Sequence, residues 1–222
     1  MSSGASNFVG SVDGVFLLSI IISVFFLVLI TTMMIYFVIK YSRKRNPKAV
    51  NVHSNTLLEV TWTIIPLILV LILFWYGWVG YKEMVDIPED AMTVEVTAQM
   101  WLWKFKYETG KVTDSLYVPV KKAVKLILTS NDVNHAFFIP AFRVKKDVYP
   151  GTKRTIWFIA NDVGEYDIAC AEYCGLNHSY MYSKIFVMPE AEFKNWLNAV
   201  SDEDPKLLEE LTGGDEYNSE NQ

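Results

Sequence analysis

The polar and apolar positions divide the chain into two regimes. Residues 15–39 run without a charge, and a second apolar run extends from 57 to about 80, interrupted only by Glu59 near its start. Each is long enough to cross a ~30 Å hydrocarbon core as a helix with some tilt. Pro66 lies inside the second run and can bend it. No Lys or Arg precedes the first run, whereas Lys40, Arg43, Lys44 and Arg45 follow it. A secretory signal has its bases first, a shorter apolar region and a small-residue cleavage site, so a retained span is expected instead. Past Tyr81 the period falls to two. Residues 92–98, 123–129, 153–160 and 182–188 predict β-strands, punctuated by Thr109-Gly110, Pro119, Asn131-Asp132, Pro150-Gly151 and Val163-Gly164. Several short strands in one region predict a small antiparallel sandwich or barrel. A short amphipathic helix follows from 190 to 200, with Phe193, Trp196, Leu197 and Val200 on one face. The expected fold class is therefore membrane α + β, a two-helix transmembrane hairpin followed by a β-sandwich domain.

Charge orients this arrangement. Segment 40–48 holds five Lys/Arg and no acid, which places residues 40–56 in the cytoplasm by the positive-inside rule. The segment 1–14 and everything beyond 81 then lie outside. Trp75, Tyr76, Trp78 and Tyr81 cluster at the far end of the second span, as an interfacial aromatic belt requires. The formal net charge is -5, but residues 201–222 alone carry eight acids and one lysine. That tail is expected to be acidic and flexible. Residues 81–200 hold fourteen bases and fifteen acids, so the soluble domain is nearly neutral, and no basic stripe supports nucleic-acid binding. The expected divisions are 1–14, 15–81 with its loop, a domain at 82–200, and the tail.

The chemistry concentrates in Cys170-Ala-Glu-Tyr-Cys174-Gly-Leu-Asn-His178-Ser-Tyr-Met181, which contains both cysteines of the chain and one of its three histidines. Thiolate, imidazole and thioether form a soft donor set, which selects copper over magnesium or calcium, and the methionine argues against structural zinc. His135, in an apolar strand upstream, is a suitable further donor. One thiolate would make a mononuclear site. Two thiolates separated by three residues can lie between two ions, with His135 and His178 each serving one, Met181 as a weak outer ligand, and the Glu172 carbonyl completing the set. A disulfide between Cys170 and Cys174 is the competing reading, because the domain faces an oxidising compartment. His53, in the cytoplasmic loop, matches no motif and reads as a solvated side chain.

The pattern C-x-E-x-C-G-x-N-H-x-x-M with an upstream histidine resembles the binuclear copper A motif of cytochrome c oxidase subunit II. Gln99-Met-Trp101-Leu-Trp103-Lys-Phe-Lys-Tyr107 is similar to that family's aromatic segment. Glu59-Val-Thr-Trp62-Thr-Ile-Ile-Pro66 is similar to the start of its second transmembrane helix. The resemblance implies a cupredoxin-like Greek-key domain and copper A ligands His135, Cys170, Glu172, Cys174, His178 and Met181. It implies that Trp101 receives the electron from cytochrome c, while Trp103 packs. The Glu172 carboxylate would reach a magnesium ion shared with subunit I, and Glu59 would lie at a proton-pathway entrance. Haem and the oxygen-reducing site would belong to subunit I. The implied location is a bacterial-type inner membrane, with the copper domain on the periplasmic face.

Two features narrow this reading. No C-x-x-C-H is present, so a fused cytochrome c domain is not expected in these 222 residues. The soluble domain also lacks the acidic excess often seen in members that bind basic cytochromes. A quinol oxidase subunit II keeps the fold without the copper ligands. A membrane-anchored copper-delivery module remains the alternative from another class, although it would need neither Trp101 nor Glu59.

Overall fold

The structure, a computed structural model, describes residues 4–48, 50 and 53–199. Val200 and the acidic tail at 201–222 lie outside the described residues. The chain divides into two compact units, Phe8–Asp86 and the segments flanking it on both sides.

The first unit is a pair of long helices, α1 (Val9–Lys40) and α2 (Thr56–Val85). At 32 residues α1 is about 48 Å long at 1.5 Å per residue, more than a hydrocarbon core needs. Both helices are long and apolar enough to cross a membrane, and neither buries a residue within the unit. An apolar surface left open to this extent is stable only where lipid or another chain replaces water. The helix α1 starts earlier than the charge-free run, taking in Gly10, Asp13 and Gly14; weak helix formers are tolerated once a continuous helix satisfies their backbone groups. Asn55 caps α2, its Oδ1 accepting from Leu58 N–H at 3.2 Å, and Glu59 falls in the first turn, where an acid meets the positive end of the helix dipole. Ser11 near the start of α1 donates to Glu83 near the end of α2 at 3.3 Å, which fixes the pair as antiparallel.

The second unit is a sandwich of two five-stranded sheets. The strands are β1 (Met92–Gln99), β2 (Leu102–Tyr107), β3 (Val112–Thr113), β4 (Leu116–Pro119), β5 (Ala123–Ser130), β6 (His135–Ile139), β7 (Val144–Val148), β8 (Arg154–Ile159), β9 (Gly164–Cys170) and β10 (Tyr182–Met188), followed by helix α3 (Glu190–Asn198). One sheet has the order β3-β2-β1-β5-β8 and the other β4-β10-β9-β6-β7. The expected purely antiparallel arrangement is corrected: β1 runs parallel to β5, and β4 parallel to β10. Each parallel pair joins strands whose intervening chain passes through other strands, and sequence periodicity carries no information on the direction of such neighbours.

Alternation explains the core. On β5, Val124, Leu126 and Leu128 point inward and are fully buried, while Lys125 and Ile127 do not. Val94, Val96 and Ala98 on β1 meet them from the adjacent strand, and Phe105, Phe137, Ile139, Ile168 and Ile185 complete the interior. On α3, Phe193 is buried, and Trp196 stacks on Tyr117 with ring centroids 4.3 Å apart.

A further element lies outside every expected strand. Residues 4–7, part of the segment 1–14 expected outside the membrane before the first span, lie along the edge strand β8. Asn7 N–H donates to Ile159 O at 3.1 Å, and Ile159 N–H donates back to Asn7 Oδ1 at 2.8 Å. Asn161 donates from its backbone to Ala5 O at 2.9 Å and from its side chain to Gly4 O at 2.8 Å. Ser6 Oγ donates to Phe142 O at 2.7 Å. The strap covers an edge whose backbone groups would otherwise be open to pairing.

Candidate metal centre

Strand register builds the site. In the β9–β10 hairpin Ala169 pairs with Tyr182, so the strands release Cys170 and Met181 side by side at the mouth of the connecting loop. Cys170 N–H donates to Met181 O at 3.1 Å, which closes that loop at its base. Phe137 on β6 pairs with Cys170, and Ala171 N–H donates to Ala136 O at 2.9 Å. This places His135, at the start of β6, against the same loop. A short 3-10 turn at His178–Tyr180 then directs His178 back toward Cys174.

The donor atoms converge. Cys170 Sγ and Cys174 Sγ stand 3.8 Å apart. His135 Nδ1 is 3.8 Å from Cys170 Sγ, and His178 Nδ1 is 3.6 Å from Cys174 Sγ. Met181 Sδ is 3.7 Å from Cys174 Sγ, and Glu172 O is 3.2 Å from Cys170 Sγ. Both cysteines are free. A sulfur and a nitrogen bound to one tetrahedral first-row ion at ~2.3 and ~2.0 Å stand about 3.5 Å apart, so these separations fit ligands arranged around metal. His135 and Met181 are fully buried, the two cysteines nearly so, and His178 half-buried. Water is therefore largely excluded, and the donor set is soft in the sense that suits copper.

The two thiols do not ionise alike. Burial pushes the Cys170 thiol up, but hydrogen bonds from His135 and from backbone groups of Ala136 and Glu172 outweigh it and hold the thiol below its usual range. Burial raises the Cys174 thiol, and the neighbouring Cys170 charge raises it further, since two thiolates at this distance repel. A cation between them would remove that conflict. Burial lowers His135, and its bonds to Cys170 and Asp132 more than restore it.

Around this centre the structure places the other expected residues variously. Trp101 sits in the tight turn between β1 and β2 and is half-buried rather than exposed. Its indole faces the metal loop: a Cβ on Gly175 would lie 3.4 Å from Cζ2 and Nε1 of Trp101. Gly175 also has φ +119°, which L side chains rarely adopt, so the backbone there favours glycine. Trp103 is buried, with its ring centroid 6.0 Å from that of His135. The Glu172 carboxylate is exposed. Glu59 belongs to the other unit and is exposed in the first turn of α2, as His53 is ahead of that helix.

Two participants were not found from the sequence. Asp132 accepts from His135 Nε2 at 2.9 Å and from Met100 N–H at 2.7 Å. Its signal was an acid three residues before a candidate ligand, which is common in turns. Gly175 stood in the C-x-E-x-C-G pattern, but nothing in the sequence tied it to Trp101.

Comparison with known proteins agrees with this architecture. The family model described as the periplasmic domain of cytochrome c oxidase subunit II matches residues 68–188, and the one describing its transmembrane domain matches residues 1–77. A cytochrome c oxidase subunit 2 of Alkalihalophilus pseudofirmus is 34% identical over 207 residues, covering 88% of this chain and 60% of that protein. The corresponding protein of Cereibacter sphaeroides is 27% identical over 210 residues, covering 77% of this chain and 69% of its own length. The chain thus spans about two thirds of the length of these relatives. Among solved structures, the periplasmic domain of subunit II of the cytochrome oxidase of Bradyrhizobium japonicum is similar, with 32% identity and a TM-score of 0.48, covering 50% of this chain and 94% of that one. With a family model matching more than half of its length, the chain belongs to the cytochrome c oxidase subunit II family.

Proposed function

We propose that this chain is the electron-entry subunit of a haem-copper oxidase in a bacterial-type inner membrane, with the β-sandwich on the periplasmic side. The observation that carries the reading is the convergence of two thiols, two imidazoles, a thioether and a carbonyl on one dry, soft-donor centre. Family membership and two helices able to span a membrane support it. The basic cluster at 40–48 supports the orientation.

His135, Cys170, Cys174, His178, Met181 and the Glu172 carbonyl would hold a binuclear copper A centre. Copper held there supplies a carrier that takes up and gives up one electron at a time. The chain's own residues do the rest. The hairpin register and the Cys170–Met181 backbone bond hold the donors in place, which keeps ligand movement on electron transfer small. Buried Phe137 and Trp103 exclude water from one side of His135. Trp101 receives the electron from cytochrome c and lies against the metal loop at Gly175. Haem in subunit I would be the acceptor for the electron leaving this chain, and would supply the oxygen-reducing, proton-translocating chemistry. The exposed Glu172 carboxylate would supply a hard oxygen ligand to a magnesium ion shared with subunit I. Glu59, at the opposite end of the hairpin, serves the entrance of a proton path in that partner.

The test is the electron paramagnetic resonance spectrum of the full chain, purified in detergent and loaded with copper. The expected signal is one electron shared equally by two coppers, lost in Cys174→Ser. A signal confined to a single copper in the unmodified chain overturns the binuclear reading, and a chain that takes up copper without any reversible one-electron step is a delivery module instead.

A further inference from the structure

Asp132 is not among the donors, yet it joins them to the tryptophan outside. Its carboxylate is a fixed bridge. Oδ1 accepts from His135 Nε2 at 2.9 Å and from Val133 N–H at 2.6 Å, and Oδ2 accepts from Met100 N–H at 2.7 Å. The turn that carries it is itself closed: Asp132 N–H donates to Ser130 Oγ at 3.3 Å, and Ser130 Oγ donates to Val133 O at 2.6 Å. Asn131 N–H donates to Ala98 O at 3.1 Å, which ties this turn to the end of β1. Met100 is the residue immediately before Trp101, and the Trp101 ring packs on Gly175 beside Cys174. One carboxylate therefore touches the ligand imidazole and the backbone that seats the entry aromatic.

Each contact has a chemical consequence. An acceptor at Nε2 fixes the His135 proton there and leaves Nδ1, the nitrogen that faces Cys170, free to bind metal. Because that acceptor is a carboxylate, it also makes the imidazole a stronger donor. Anchoring Met100 N–H holds the turn, and so the distance between Trp101 and the metal loop. Trp101 has no hydrogen bond from its own Nε1 to do this, so its position depends on packing and on the turn beneath it.

We propose that Asp132 is a positioning residue for electron entry: one carboxylate sets both the tautomer of His135 and the seat of Trp101, so that the two ends of the entry path are held as a single unit. The inference rests on the copper reading above.

The experiment uses the full chain in detergent, with Asp132→Ala, which removes both bonds, and Asp132→Asn, whose single oxygen stays with the two donors on the Oδ1 side, His135 and Val133, and turns its NH2 toward Met100 N–H, so that the Met100 bond is lost and the charge removed. In the copper-free chain, hydrogen exchange of the segment containing the Met100 amide should speed up in both variants. In the loaded chain copper affinity should fall by about tenfold or more, the usual effect of losing such an outer partner. The copper that binds should show a raised midpoint potential, because loss of a nearby anion favours the reduced state. Reduction by a soluble c-type cytochrome should slow by a larger factor than reduction by a small reductant that needs no docking.

An unchanged midpoint potential, or unchanged exchange at Met100, overturns the proposal. So does equal slowing with both reductants, which would leave Asp132 supporting His135 alone. Should Asp132→Ala fail to fold, Asp132→Asn gives the same readouts. Should the unmodified chain bind no copper pair, the copper reading fails separately, and exchange at Met100 still decides whether Asp132 seats the Trp101 turn.

Discussion

Trp101 and Trp103 show how two like residues, two positions apart, take different parts. Strand alternation turns Trp103 into the sandwich, where its ring meets Phe137 at 5.2 Å and His135 at 6.0 Å between centroids. Trp101 lies at the turn where alternation ends, half-buried, with its ring on Gly175. A residue that only filled space would be expected among the Trp103 contacts. Trp101→Phe should therefore retain the copper spectrum while slowing electron entry from a cytochrome, because the smaller ring withdraws from the loop. Stopped-flow reduction of the loaded chain measures this, and loss of copper in that variant would make Trp101 a packing residue. The ligand residues were legible because their side-chain types and their spacing are both unusual. Asp132 was not, because an Asx turn and a hydrogen bond to a ligand look the same in one dimension.

The β9–β10 hairpin is the element on which the centre depends. Its upstream strand, Gly164-Glu-Tyr-Asp-Ile-Ala-Cys170, has exposed or half-exposed residues along most of its length and buries only Ile168 and Cys170. That pattern offers little periodicity, so β9 was not predicted although β10 was, at 182–188. The short strands β3 and β4 were missed for a similar reason, since two to four residues cannot establish a period. The strap at residues 4–7 is polar and carried no strand signal; only tertiary structure brings it to β8. Its worth can be measured. Asn7→Ala leaves Ile159 N–H without its side-chain acceptor, and should cost about 1 kcal/mol, the net value of a part-buried hydrogen bond. Thermal unfolding of the full chain in detergent would show it as a lowered Tm, and no change would mean that the strap does not stabilise the sheet.

At the scale of the whole molecule, charge and apolar surface are separated. The spanning helices carry the apolar excess and the described soluble unit is nearly neutral. Near the metal loop, Tyr173, Leu176 and Tyr180 are 75%, 86% and 80% exposed, so the surface there is aromatic and aliphatic more than acidic. Electron entry into the assembled oxidase should accordingly vary little with ionic strength, since screening acts on exposed charge and not on apolar contact. The same turnover measurement with Glu59→Ala should give a similarly flat profile at a lower level. A steep fall with salt would restore charge-steered docking, and unchanged turnover would return Glu59 to a helix-capping acid. The sequence alone determined the two apolar helices, the soft donors and four of the strands, because these rest on local composition and spacing. Tertiary structure decided the rest. Parallel pairing of β1 with β5, the strap on β8, the seat of Trp101 and the Asp132 bridge all join residues far apart in the chain, through contacts that no periodicity records. The Cys170–Met181 loop belongs to both: its sequence supplied the soft donors, and the register of β6, β9 and β10 closed them around one point.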